Sequence, residues 1–246
     1  MGSEPKKKNP KHIELNPNWA QLQQKLKAQD SKPRKSILGK RKERFDEETD
    51  DSKINILAPV NDDCSLTEVI GMDCEMVGVG QGSKSALGRV SLVNKWGNVV
   101  YDEFVRPVER VVDFRTHISG IRLRDLRKAK DFCAVQKKVA ELIKGRILVG
   151  HALRNDLKAL LLTHPKKDLR DTSEYQPFLK ERHRKALRHL AMEFLGVDIQ
   201  NGEHCPIEDA RAAMLLYQKN NRDWEKSIKD QTRLKQKQKK RKPKSK

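Results

Sequence analysis

Downstream of residue 67 the apolar positions fall into short blocks whose period changes from one block to the next. Residues 67–73 carry Val69, Ile70 and Met72 close together and read as a first strand. Residues 89–93 and 98–105 read as two more, with Lys95-Trp96-Gly97 as a hairpin-like turn between them. Residues 80–85 form a polar, glycine-bearing loop. In residues 131–144, Cys133, Val135, Val139, Leu142 and Ile143 make an apolar stripe at helical spacing, closed by Gly145. Ile147-Leu148-Val149-Gly150 reads as a buried strand, and His151 to Asn155 turns from it into a helix carrying Asp156, Leu157, Leu160 and Leu161. Residues 169–172 suggest a last short strand, and residues 184–195 a helix ended by Gly196. A final helix starts at Cys205-Pro206, where proline suits the first helical position, and continues through Ala210, Ala213, Met214 and Tyr217. Three strands, helix, strand, helix, strand and two helices predict an α/β domain, a mixed sheet with helices packed on it. No internal repeat is visible.

Upstream, the pattern dissolves. Residues 1–62 are rich in Lys, Asp, Glu, Asn and Pro and poor in large apolar residues, which predicts a basic, mostly disordered N-terminal region. Within it Trp19, Leu22 and Leu26 share one face of a short helix near residues 17–29, suited to docking on the domain or on a partner. The expected organisation is this region, a globular domain over residues 63–219, and a basic C-terminal tail over residues 220–246.

Charge sharpens that division. The 246 residues carry 53 Lys and Arg against 34 Asp and Glu, a formal charge of +19. By count about +5 falls in residues 1–60, about +10 in 219–246 and only about +4 between them. Such ends favour polyanions, chiefly nucleic acid, unless they are simply solvated tails. Lys32-Pro33-Arg34-Lys35 followed by Lys40-Arg41-Lys42-Glu43-Arg44 resembles a bipartite nuclear-import signal. The four cysteines at 64, 74, 133 and 205 form no CxxC pair, which points to reduced thiols in an intracellular protein. The N-terminus lacks the apolar stretch of a secretory signal, and no 18-residue apolar run offers a membrane span.

Candidate chemistry begins in the first strand. Asp73 and Glu75 are two apart, so an extended chain projects them from one face. Two such carboxylates repel unless a cation or a proton lies between them; otherwise they are a solvated strand end. Asp156 opens the helix after Gly150, and Asp209 sits in the first turn of the last helix on the same face as Ala213 and Leu216. An inward acid is costly unless paired, and four converging carboxylates would bind a hard divalent cation through oxygen. Each alone is also an ordinary helix N-terminal acid, favoured by the helix dipole. His204, five residues before Asp209, hangs on the preceding loop, and Asp198, Glu203 and Glu208 read as surface charges.

Taken in order, Asp73-x-Glu75, His151-Ala152-Leu153-Arg154-Asn155-Asp156 and His204-x4-Asp209 resemble the motifs of the DEDD exonucleases in their histidine-bearing DEDDh (DnaQ-like) branch. The segments 114–121, 169–175 and 187–191 resemble further family segments, the first of them the family's substrate strand, and the resemblance covers residues 67–219. Within the family the chain is most similar to nuclear and nucleolar members linked to ribosomal RNA processing. The resemblance implies a ribonuclease H-like fold with a central mixed five-stranded sheet flanked by helices. It implies a 3′→5′ exonuclease that releases nucleoside 5′-monophosphates from a single-stranded 3′ end, with pre-ribosomal RNA as substrate and pre-ribosome proteins as further partners. Two Mg²⁺ ions about 4 Å apart are implied as cofactors, with Mn²⁺ as an alternative. By the family pattern Asp73, Glu75 and Asp209 hold the water-activating ion, Asp73 bridges to the second with Asp156, and His204 takes the proton. Substrate contacts are implied at Met76, Val77, Thr116, Ile118, Gly120, Ala152 and Asn155. Arg122, Arg124, Arg127, Lys128 and Lys130 form a basic cluster that either grips phosphates or is solvated. Two other readings stay open from sequence: DNA as the substrate, or an RNA-binding assembly factor whose catalysis is dispensable.

Overall fold

The computed structural model describes residues 55–181 and 183–241, with side chains described through residue 234. At the centre of its sheet runs β1 (Val69–Val79), antiparallel to β2 (Lys84–Asn94), which is antiparallel to β3 (Val99–Arg106). Two short strands extend this half: β4 (Val111–Asp113) pairs with the end of β1, and β5 (Lys130–Asp131) with β3. On the other side of β1 lie β6 (Ile147–Gly150) and then β7 (Leu169–Asp171), both parallel to their neighbours. The path β3-β2-β1-β6-β7 is the expected five-stranded mixed sheet, and the two additions make seven.

The helices are α1 (Thr116–Ser119), α2 (Leu123–Arg127), α3 (Phe132–Ile143), α4 (Leu153–Ala159), α5 (Leu187–Leu190) and α6 (Pro206–Arg241). Side-chain alternation along β1 sends Ile70, Met72 and Cys74 into one core, where they meet Val135, Val139 and Leu142 of α3 and Leu153 and Leu157 of α4. A second core joins α5 and α6 through Leu187, Leu190, Ala213 and Leu216. There α6 lies directly on β1: a Cβ on Gly71 would stand 3.0 Å from the Ala210 carbonyl oxygen. That close approach sets the first turn of α6 beside the residues that follow Gly71 on the same face. No helix among the described residues is long and apolar enough to cross a membrane.

Several expectations need correction. The first strand does not end at Asp73 but runs to Val79, so both acids lie within it. Ladder hydrogen bonds join backbones, and β2 supplies partners as far as Lys84 whatever the side chains are. The polar loop over 80–85 accordingly shrinks to a tight turn in which the Gly82 N–H donates to the Val79 carbonyl at 3.0 Å. Residues 114–121, over which the periodicity placed no element, carry α1, closed by Gly120 at φ 66. The helix expected over 184–195 is α-helical only at Leu187–Leu190, continues as a π turn over Ala191–Leu195, and ends at Gly196 as read. Leu161 has left its helix, at φ 52, and is exposed.

Packing also passes both ends of the 63–219 span. Leu57 is buried in the second core, and α6 continues without a break to Arg241 where a tail over 220–246 was expected. Trp224 stacks on Tyr175 with centroids 3.9 Å apart, and Arg170 forms a bidentate pair with Glu225. The amphipathic segment near residues 17–29 and the basic clusters at 32–35 and 40–44 lie outside the described residues.

Candidate active site

β1 presents Asp73 and Glu75 from the face that α6 covers. In the ladder Asp73 pairs with Ser91 and Glu75 with Arg89. Arg89 makes a bidentate pair with Asp102 at 2.9 and 2.7 Å, and the Ser91 hydroxyl donates to the same carboxylate at 2.7 Å. A fixed guanidinium therefore stands one strand away from Glu75.

Asp209, 2% exposed, reaches the same face from the first turn of α6. Its Oδ2 accepts from the Gln200 Nε2 at 2.8 Å and lies 3.8 Å from His204 Nδ1. Its Oδ1 is buried with no hydrogen-bond partner among the described residues. His204 is placed by its backbone N–H, which donates to the Ile118 carbonyl at 2.6 Å. The neighbouring Glu203 receives both arms of Arg122, at 3.0 and 2.5 Å. Glu203, expected as a plain surface charge, thus ties the histidine loop to the segment after α1 through Arg122. Lys130 is likewise paired, with Glu103.

Among the described residues, Glu75, His204 and Asp209 offer ligand atoms that all lie within 4.8 Å of one another. Asp73 does not enter that tight group, although it shares the field of the other acids. Asp156 is buried, and its carboxyl lies close enough to Asp73 for the two charges to repel. Of the five expected residues, three are therefore brought together closely and two flank them.

The electrostatics reflect crowding and lost hydration. Burial, then repulsion from Asp209, pushes Glu75 up to about 8 while Arg89 pulls against the rise. Burial and the nearby Asp171 raise Asp156 to about 8. Burial raises Asp209 to about 6, opposed by the Gln200 hydrogen bond. Asp73 is raised well above the carboxylate range, first by burial and then by Asp156, Asp209 and Glu75. His204 moves the other way, below its ordinary value, through burial and the charge of Arg188. An all-oxygen acid set with an unsatisfied buried oxygen suits a hard divalent cation, and these residues fit one.

The implied substrate contacts divide. Val77 is fully buried against Ile121 and Leu126, so only its backbone is left for a ligand. The Thr116 hydroxyl is spent on the Ile121 carbonyl at 2.7 Å, and Gly120 closes the same turn. Ile118 and Asn155 are exposed, and Met76 is partly so. Ala152 occupies a left-handed position, φ 57, with its N–H donating to Asp171 Oδ1 at 2.8 Å. A groove of about 850 Å³ between α4 and the distal half of α6 holds none of the five expected acid and histidine residues.

Sequence reasoning missed Gln200, Asp171 and the Arg89–Asp102–Ser91 network. Polar residues at 89 and 91, alternating within an apolar strand, were a usable signal. Gln200 offered none, being one polar residue in a polar loop.

Comparison with known proteins agrees with this geometry. The Exonuclease (RNase_T) family model matches residues 70–217. RNA exonuclease 4 of Xenopus laevis is 52% identical over 167 residues, covering 67% of this chain and 40% of that protein. RNA exonuclease 4 of Saccharomyces cerevisiae is 49% identical over 182 residues, covering 72% of this chain and 62% of that protein. The chain thus spans less than two thirds of the length of either. Among solved structures, the Saccharomyces cerevisiae Pan2 pseudoubiquitin hydrolase–RNA exonuclease module in complex with A7 RNA matches with a TM-score of 0.58 at 32% identity. That match covers 67% of this chain and 30% of that one, and the shared architecture is the ribonuclease H-like fold.

Proposed function

Because the chain belongs to the exonuclease family whose model spans residues 70–217, we propose that it is a divalent-metal-dependent 3′→5′ exoribonuclease. It releases nucleoside 5′-monophosphates from single-stranded RNA. The observation that carries this reading is the convergence within 4.8 Å of Glu75 on β1 with His204 and Asp209 at the start of α6, more than 120 residues later in the chain. The RNA named in both relatives and in the Pan2 complex supports RNA over DNA as substrate.

In this reading Asp73, Glu75 and Asp209 would hold one cation, and Asp73 and Asp156 would serve a second. Mg²⁺ suits the oxygen donors, and Mn²⁺ is the alternative. When bound, such ions lower the pKa of water and offset charge on the phosphate. The chain's own residues do the rest. Burial and the charge of Arg188 lower the His204 pKa below its ordinary value, which favours the neutral ring with an open lone pair for a proton. Its loop is held by the Ile118 carbonyl and the Arg122–Glu203 pair, which fix the distance from base to acids. Exposed Ile118 stands on the same segment and offers a surface for the terminal nucleotide.

The deciding experiment gives the full chain matched 5′-labelled RNA and DNA strands and a circular RNA, all in Mg²⁺. Progressive shortening of the linear RNA with the circle intact is expected. Cleavage of the circle would make the protein an endonuclease, and equal loss of the DNA strand would remove the RNA assignment. The resemblance and the basic clusters at 32–35 and 40–44 support a nuclear, nucleolar site of action on pre-ribosomal RNA as part of this proposal. A tagged chain that stays nucleolar after both clusters are neutralised would refute the role given to them.

A further inference from the structure

Gln200 lies on the loop between the π turn and α6. Its predecessor Ile199 is buried in the second core at 2% exposed, and four residues later His204 is pinned to Ile118. Between those anchors Gln200 adopts φ 62, a left-handed conformation that L side chains seldom occupy and that persists only where surrounding structure enforces it. The side chain donates Nε2 to Asp209 Oδ2 at 2.8 Å. His204 Nδ1 is 3.8 Å from that same oxygen. The carboxylate is therefore served on one side only, since Oδ1 is buried without a partner. A buried acceptor left unmade is costly, and a free carboxylate could rotate about its last bond to relieve it. The amide prevents that by fixing which oxygen is occupied.

We propose that Gln200 is a positioning residue for the metal centre: its amide locks the Asp209 carboxylate so that Oδ1 stays available as a cation ligand. The proposal rests on the exonuclease reading above. Glutamine is suited to the task because its amide is a neutral donor. A lysine there would compete with the cation for the site's negative charge, and a glutamate would add to the repulsion among Asp73, Glu75 and Asp209.

The test measures Mn²⁺ binding to the full chain by calorimetry, together with the Mn²⁺ dependence of RNA shortening. Gln200→Ala is expected to weaken Mn²⁺ binding about tenfold, as outer-shell partners of metal ligands do. The turnover number at saturating Mn²⁺ should change less than threefold, because Asp209 itself is retained. Gln200→Gly lacks the amide but is at ease at φ 62, so it should show the same loss of affinity with unfolding at or above the wild-type temperature. Wild-type Mn²⁺ affinity in a folded Gln200→Gly protein would overturn the proposal. So would an unchanged half-saturating Mn²⁺ concentration with a reduced turnover number. Failure of the wild type to shorten RNA would count against the exonuclease reading alone, since the comparison of Mn²⁺ affinities needs no substrate.

Discussion

At the residue scale, Asp209 and His204 have separable tasks. Asp209→Asn keeps the shape and the Gln200 contact but removes a charge, and His204→Ala removes the proton acceptor. Each should reduce RNA shortening in Mg²⁺ by roughly a hundredfold or more, measured as initial rates on a labelled strand. The raised acids also predict how stability depends on pH. An acid whose pKa is higher in the folded chain than in the unfolded one favours folding while protonated, and that support is lost as pH rises toward the folded value. Glu75 and Asp156, each raised to about 8, therefore predict that the metal-free protein unfolds at lower temperature at pH 8.5 than at pH 6.5. His204 and His151, both depressed by burial, act in the opposite direction but mainly below their ordinary value of 6.5, so the chosen window reads the acids. Glu75→Gln should flatten the fall, and an unfolding temperature that rises across the window would refute the account.

At the scale of elements, two close approaches set the site. A Cβ on Gly150 would stand 2.7 Å from the Met72 carbonyl oxygen and 2.5 Å from Leu153 Cδ2. Gly150→Ala should thus push α4 away from β1, costing about 1–3 kcal/mol in urea unfolding. The Asp131 side chain caps α3 by accepting from Cys133 N at 2.8 Å, and Asp131→Ala should cost about 1 kcal/mol. Elements with strong apolar period were legible in the sequence: α3, β6 and the start of α6 were all read close to their observed limits. Elements made by backbone pairing or by turn geometry were not. The second half of β1, the strands β4 and β5, and α1 carry no period that separates them from loop, because their hydrogen bonds come from partners distant in sequence. The same division holds in the site. Asp73, Glu75, Asp156, His204 and Asp209 stood out through their order and spacing, whereas Gln200 acts through a side-chain hydrogen bond that only the folded loop creates. The π turn at Ala191–Leu195 has no physical account from the residues in it.

At the scale of the whole molecule, stability and site share one long element. The core beneath α5 and α6 includes Leu57 and Trp224, both outside the span that sequence periodicity marked as the domain. Trp224→Ala should cost about 3–5 kcal/mol, since it removes the ring stacked on Tyr175 and leaves a void beside Phe178. A chain cut to residues 63–219 should unfold at markedly lower temperature than the full chain; equal unfolding temperatures would show that the outer packing is idle. Asp209 places α6 at its first turn, and Glu225, held by Arg170, anchors it again near its middle. One residue inserted between these anchors would rotate everything beyond it by about 100°, so that either the acid or the Glu225 clamp faces the wrong way. That stretch is therefore intolerant of a change in length, while truncation past Gln231, where no such anchor lies among the described residues, should leave the site in place.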